Sequence, residues 1–189
     1  MLAQNTAIKA STTVRNSRVP AAPLQLLIRP IRPSDAPLLQ AEYARLSDSS
    51  RYNRFHSGMA RIPDKLLRYL TEVDGVDHVA LVAFEAIEGA PRREGRGVGV
   101  ARFVRNRDVP TSAELAVVVI DALQGRGIAR RLLAALADAA ALRGIERFSA
   151  SVLANNTRAR RLMASVGATS NGTPGELRAF EFPVAAVVA

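Results

Sequence analysis

The stretch Ala113–Leu136, AELAVVVIDALQGRGIARRLLAAL, constrains this chain more than any other. An apolar run ends in a turn broken by two glycines, and a helical pattern begins at once. Gly125 and Gly127 lack a Cβ, so the backbone there takes positive φ without strain and lets a ligand come close. A helix that starts after Gly127 presents N–H groups with no intrahelical acceptor, and its macrodipole adds partial positive charge. Strand, glycine turn and helix N-terminus together suit an anion such as a diphosphate. Arg126, Arg130 and Arg131 strengthen the field. Taken alone, the turn is equally a plain tight connection between strand and helix.

The flanking sequence gives that turn its context. LQLLIRPIRPSD, from Leu24, reads as a strand stopped by prolines, with Ser34 or Asp35 capping a helix to the neighbourhood of Leu46. PDKLLRYLTEV sets Leu66, Leu67, Leu70 and Val73 on one helical face, with Pro63 at a tolerated first-turn position. HVALVAFEA, GVGVARFV and SAELAVVVI read as strands, and GAPRREGR between the first two as a loop. Short connections favour an antiparallel meander. After Gly127 a helix of about 17 residues turns Ile128, Leu132, Leu133 and Leu136 inward. ERFSASVL alternates, with Phe148, Ala150 and Val152 on one side. A helix from Thr157 onward carries Ala159, Leu162, Met163 and Val166 at core spacing, and GELRAFEFPV closes the chain as a strand.

Strand–helix–strand in the middle implies a parallel pair with a right-handed crossover. The expected fold class is α/β in the α+β sense: three layers, with a mixed central sheet and helices on both faces. Residues 24–189 read as one domain. Residues 1–23, free of acidic side chains and of sustained periodicity, read as a flexible tail.

Composition narrows the functions open to such a fold. The absence of cysteine excludes disulfides, thiolate metal sites and cysteine nucleophiles; it fits a reducing compartment, and a cytoplasmic location is the expectation. His56 and His78 are the only histidines, which leaves little for a metal site or a serine–histidine triad, and no metal is expected. No apolar run approaches the roughly 18 residues of a spanning helix, so no membrane segment is expected. The net charge of +9 points to anionic partners. An arginine-biased composition accounts for it equally well, since lysine occurs only at Lys9 and Lys65. With 5% aromatics, no tryptophan and no reader motif, nucleic acid is not the expected anion.

Two familiar phosphate loops fail on residues. A nucleotide-hydrolase loop needs Gly-Lys-Ser/Thr, where this chain has Gly127-Ile128-Ala129. A dinucleotide fingerprint needs a small residue where Arg130 stands. QGRGIA instead resembles the Gln/Arg-x-x-Gly-x-Gly/Ala signature of the GNAT superfamily of acetyl-CoA-dependent N-acetyltransferases, matched at Gln124, Gly127 and Ala129. A second signature of that superfamily, Asn-x-x-Ala after the fifth strand, is matched by Asn156 and Ala159. Within the superfamily, LSDSSRYNRFHSG (Leu46–Gly58), AELAVVV, QGRGIA and GIERFSASVLANN look like the acetyltransferase domain of bacterial protein lysine acetyltransferases.

The resemblance implies a GNAT fold whose fourth and fifth strands splay apart, and acetyl-CoA as acyl-donor substrate. It implies that the diphosphate sits on the backbone of Gln124, Gly125, Arg126, Gly127, Ile128 and Ala129. The pantetheine arm would pair with the backbone of Val117, Val118 and Val119, as a peptide pairs with a sheet edge. The Val118 N–H would polarise the thioester carbonyl and stabilise the oxyanion. A lysine amine must lose a proton before attack, a cost of roughly 4–5 kcal/mol at neutral pH. Glu114, a carboxylate in an otherwise apolar strand, is implied as the general base that assists; its bland reading is a surface carboxylate. Asn156 caps its helix, bonds the pantetheine arm, or does both. Arg158 reaches a CoA phosphate or belongs to a solvated face with Arg160 and Arg161.

One departure stands out. Many members of the superfamily protonate the leaving thiolate with a tyrosine where this chain has Met163. No general acid is assigned, because a thiol of pKa near 8.5 leaves as a fairly stable anion that water can protonate. Tyr52, Arg54, Phe55 and His56 fall in the segment that walls the acceptor side, or form a structural cluster; His78 is expected at the surface. The preferred function is acetyl transfer to a primary amine by direct attack in a ternary complex, with a protein lysine as acceptor. A small-molecule or N-terminal amine and a non-catalytic CoA-binding module are the alternatives.

Overall fold

In the computed structural model, residues 24–87, 90–171 and 176–188 are described. The expected tail at 1–23 lies outside them. Seven strands form one sheet: β1 (Leu26–Pro30), β2 (His78–Ile87), β3 (Ala90–Arg105), β4 (Ser112–Val119), β5 (Arg147–Leu153), β6 (Thr169–Asn171) and β7 (Leu177–Pro183). Their spatial order is β1-β2-β3-β4-β5-β7-β6. Helices α1 (Ala36–Ala44), α2 (Asp48–Phe55) and α3 (Asp64–Thr71) precede β2. Helix α4 (Ile128–Ala141) links β4 to β5, α5 (Thr157–Ser165) follows β5, and α6 (Ala185–Val188) ends the description.

Every neighbouring pair is antiparallel except β4 and β5. The expected meander and parallel pair are therefore both present. The two faces of the sheet separate cleanly at β3. A Cβ at Gly99 would stand 2.9 Å from the Val118 carbonyl oxygen and 3.1 Å from Leu132 Cδ1, so that face lies under α4 and only glycine fits there. Arg102, three residues on and on the opposite face, donates to the Leu70 carbonyl of α3 at 3.0 Å.

The core under α4 is built from the residues whose spacing announced it. Ile128, Leu132, Leu133 and Leu136 are all buried. Phe103, Phe148 and Phe182 form a chain of rings with centroids 6.1 and 5.8 Å apart. Between the first two, on β4, stands Ala113, fully buried and small enough to leave room for them. Alternation along β5 is as expected, with Phe148, Ala150 and Val152 buried. On α5, Met163 and Val166 are buried, while Ala159 and Leu162 only half enter the core.

Two readings need correction, and one segment read without an element gains a helix. GAPRREGR is not a loop: β3 begins at Ala90, with Ile87 opposite Ala90 and Ala86 opposite Glu94 across an irregular register. β4 pairs with β3 only from Gly99 onward, so among the described residues the earlier part of β3 has no strand on that side, and a proline there removes no ladder bond. The Leu46–Gly58 segment contains a helix, α2, with Ser47 at its N-cap accepting the Ser50 N–H at 3.2 Å. His78 is not at the surface. It is buried, tilted against the Tyr69 ring at 4.8 Å, with Nε2 3.0 Å from the Arg102 guanidinium.

The Arg102 guanidinium thus ties β3 to β2 through His78 and to α3 through a carbonyl in the helix's last turn, which otherwise has no intrahelical donor. Burial, then the Arg102 charge, drops the His78 pKa from 6.5 to about 4, against a smaller opposing pull from Asp74. Between those values the unfolded chain binds a proton that the folded chain refuses, so stability is full above pH 6.5 and declines as pH falls toward 4. A single such group gives a slope of at most about 1.4 kcal/mol per pH unit. Urea unfolding of His78→Gln across this window should show a flatter pH dependence than the wild type; identical slopes would remove His78 as the cause.

Candidate active site

Pairing between β4 and β5 lasts for three residues, Ser112 with Arg147, Ala113 with Phe148 and Glu114 with Ser149. Beyond that both strands continue, held only on their outer sides. β4 stays paired to β3 as far as Val119, and β5 to β7 as far as Leu153. The strands part, and the inner edge of β4 carries backbone groups with no strand opposite. Below this slot the chain turns through Asp121–Leu123 into Gln124 and the two glycines.

Gly125 and Gly127 have φ of 79° and 77°, and a Cβ at either would meet nothing within 4 Å. Their role is conformational: they aim successive N–H groups outward. Among the described residues, no acceptor takes the N–H groups from Gly125 through Arg130. Gln124 departs from expectation. Its N–H already donates to the Asp121 carbonyl at 3.2 Å, so it is not part of the free set.

The Gln124 side chain holds the turn in place. Its amide nitrogen donates to the Val119 carbonyl at 3.0 Å and to Ser50 Oγ at 3.3 Å. Its amide oxygen accepts from Arg158 on α5 at 2.5 Å, which bridges the two walls. Asp121 completes the brace: its carboxylate takes the Ser47 N–H at 2.8 Å and the hydroxyls of Ser47 and Ser50 at 3.0 and 2.7 Å. Burial alone would raise the Asp121 carboxyl; the Ser47 N–H and the Ser50 and Ser47 hydroxyls outweigh it and hold it below the usual value. Sequence spacing gave no signal for this brace, whose partners stand 74 residues apart.

These elements form an open cleft of about 840 Å³. Of the expected site residues, Val117, Val118, Val119, Gln124, Gly125, Gly127, Ile128, Ala129, Asn156 and Arg158 all line it. Arg126 does not; it is exposed and outside the wall. Arg130, expected to strengthen the field at the turn, and Arg54, expected on the acceptor side, both line the cleft, as does Arg161, expected only on a solvated face. The Asn156 side chain accepts the Ala159 N–H at 3.0 Å and so acts as the cap of α5. Met163 is 2% exposed and packs in the core, away from the cleft wall.

Glu114 is exposed at the last paired position of β4, at the closed end of the slot. It shares a sheet face with Ala116 and Val118 by strand alternation. Arg54 feels its charge: burial lowers the Arg54 pKa, while Glu114 and Tyr69 pull it back up. Among the described residues no group of three His, Asp or Glu is arranged to hold a metal, and no helix is long and apolar enough to cross a membrane.

A mixed sheet whose single parallel pair parts above a glycine turn with free amides defines an acyl-CoA-handling α+β class. The chain belongs to the GNAT acetyltransferases: residues 25–169 match the family described as Acetyltransferase (GNAT) domain. It is 38% identical over 142 residues to Acetyltransferase Pat of Mycolicibacterium smegmatis, covering 75% of this chain and 40% of that protein. The chain thus spans well under half the length of that relative. The crystal structure of the GNAT domain of S. lividans PAT superposes with a TM-score of 0.75 at 32% identity, over 85% of this chain and 94% of that one. The structure of yncA from Salmonella typhimurium, solved with its cofactor acetyl-CoA, shares the fold with a TM-score of 0.62 at 23% identity, over 85% and 94% of the two chains.

Asp121→Ala should cost about 1–3 kcal/mol in chemical denaturation, since it strips a charged acceptor from three donors. The sign with pH follows from its lowered pKa: the contribution is complete above the ordinary value of 3.8 and is lost as pH falls below it. The wild-type advantage over Asp121→Ala should therefore shrink in acid, and an advantage that stays constant down to pH 2 (roughly 2 units below the ordinary range) would contradict the assignment.

Proposed function

We propose that this protein transfers an acetyl group from acetyl-CoA to a primary amine, with a lysine side chain of a protein as the preferred acceptor. The observation that carries the reading is the parting of β4 from β5 directly above a turn whose N–H groups have no acceptor. A strand-like pantetheine arm needs an unpaired edge, and a diphosphate needs clustered donors. This cleft offers both, with Arg130, Arg158 and Arg161 on its wall. The lysine acceptor rests on the likeness of Leu46–Gly58 and the β4–α4 segment to protein lysine acetyltransferases.

In this reading the diphosphate lies on Gly125 to Arg130, and the thioester carbonyl accepts from a slot-facing N–H beside Val118, on Val117 or Val119. Ile120 donates to the Val98 carbonyl of β3, so by strand alternation the Val118 N–H also points to β3 and not into the slot as expected. The amine attacks the carbonyl carbon, the C–N bond forms, and the C–S bond breaks with the electron pair on sulfur. Glu114 takes the amine's proton. Four residues of strand separate Glu114 from Val118, roughly 13 Å of backbone. A glutamate side chain cannot close that distance, so the proton travels through water. The leaving thiolate is protonated by solvent, since the motif position that often carries a tyrosine holds Met163, which packs in the core. That same residue favours the rival reading, a CoA-sensing module without turnover.

Acetyl-CoA at 100 times its Kd should stabilise the fold by about 2.7 kcal/mol, and thiol release should follow on adding a lysine peptide. Stabilisation without thiol release from any amine would select the sensing module. Glu114→Gln should retain the stabilisation, lower kcat by about 10²-fold or more, and abolish the carboxylate limb of the pH–rate profile. An unchanged profile would remove Glu114 from the chemistry.

A further inference from the structure

A second hollow adjoins the cleft and is not needed for acetyl transfer. It holds about 60 Å³ beneath α1, α2 and α3, and it is lined mainly by apolar side chains such as Leu39, Tyr43 and Val82. Val118 and Arg54 line both spaces, so the hollow opens where the acyl group would sit. Its walls also carry Arg102, which is only 5% exposed.

The two guanidiniums are an unusual expense in an apolar chamber. Among the described residues, no carboxylate lies within ion-pairing distance of either. Arg102 spends two nitrogens on the Leu70 carbonyl and His78, and its buried Nε has no partner. Among the described residues the half-buried Arg54 side chain makes no hydrogen bond; it leans over the Phe55 ring at 5.0 Å and feels the Glu114 charge from a distance. They also repel one another: burial, then the Arg54 charge, brings the Arg102 pKa down to about 9, with Tyr69 opposing. Among the described residues Glu42 is the one carboxylate on the wall; Arg45 holds its Oε1 at 3.1 Å, and its Oε2 is buried without a partner. The His78 ring is held neutral and adds no charge at physiological pH.

Burying an unpaired cation is strongly unfavourable, and a charged partner entering with the substrate would relieve it. We propose that this hollow is a carboxylate subsite: it receives an anionic carboxyl group carried by one of the two substrates, either on the acyl chain of the donor or on the amine acceptor. The inference rests on acyl transfer at the β4–β5 slot and specifies what the substrates bear. Register supports the reach. Val100 lies opposite Val118, and Arg102 opposite Ala116, so Arg102 is diagonal to Val118 on the same face, beside the slot. Such diagonal neighbours stand about 7–8 Å apart, a span that a short dicarboxylic acyl chain bridges. With succinyl-CoA the bonding changes are those of acetyl transfer: the amine nitrogen bonds the thioester carbon, the C–S bond breaks, CoA leaves as thiolate, and the ammonium proton passes to base. The distal carboxylate is unchanged throughout.

The test uses matched pairs with the wild-type protein. The donor arm compares succinyl-CoA with butyryl-CoA. The acceptor arm, with acetyl-CoA, compares 5-aminopentanoate with n-pentylamine, and a lysine peptide flanked by glutamate with one flanked by glutamine. A preference of about tenfold or more for the carboxylate member in either arm is expected, the size that charge-assisted hydrogen bonds supply. Arg102→Met should erase that preference while leaving turnover of acetyl-CoA with n-pentylamine intact. Donor affinities by calorimetry give the same comparison without turnover, and the Arg102 Nε–H resonance of the wild type should move with the preferred carboxylate compound alone. No preference in any pair, or one that survives in a folded Arg102→Met, overturns the subsite. Acetyl-CoA turnover with a lysine peptide but no carboxylate preference defeats this inference only; failure to bind acetyl-CoA defeats the transfer reading itself.

Discussion

The structure turns on hydrogen bonds that are not made. After Glu114 and Ser149 the ladder between β4 and β5 stops, although both strands run on. Each missing bond leaves backbone groups that must find water or a ligand, because buried unsatisfied amides are costly. The parting survives because the outer ladders are complete: β3 holds β4 to its end, and β7 holds β5. The fully buried rings of Phe103, Phe148 and Phe182 weld the closed end of the slot, and nothing comparable fills the open end.

An opening of this kind would collapse or fray without a brace, and the brace is polar. Asp121 fixes the start of α2 to the turn, and Gln124 fixes the turn to the last carbonyl of β4. Arg158 then reaches across from α5. The cofactor loop and the helix beside the acceptor hollow are therefore one mechanical unit. A ligand that orders the turn also orders α2, and Arg54 on α2 lines both spaces.

What the sequence revealed follows from which forces are local. Glycine at positions 125 and 127 reports backbone dihedrals, which depend on the residue itself, and both φ values are positive. Alternation at Phe148, Ala150 and Val152 reports burial on one face, which a strand imposes by geometry. Asn156 was legible as a cap for the same reason. Long-range pairings were not. His78 is polar, and its burial depends on Arg102 across the strand and on the end of α3. Gln124 looked like a ligand contact because it stands in the motif; it is structural because its bonding partners come from β4, α2 and α5. The β3 extension was hidden by glycine and proline, whose usual meaning lapses on an unpaired edge.

The same distinction settles the charge. A net of +9 says little by its total. Placement says more, because paired and unpaired cations have different consequences. Arg29, Arg45, Arg51, Arg61, Arg105 and Arg147 each have a carboxylate within 4.0 Å, so much of their field is cancelled locally. Arg130, Arg158 and Arg161 line the cleft with no such partner among the described residues. Exposed cations of that kind act over about a Debye length and raise the local concentration of a polyanion. Arg102 lies out of water and Arg54 is half-buried beside it, where screening is weaker and orientation counts. One set of arginines is suited to drawing a phosphorylated carrier to the mouth, and the other to judging what that carrier or its acceptor brings inside.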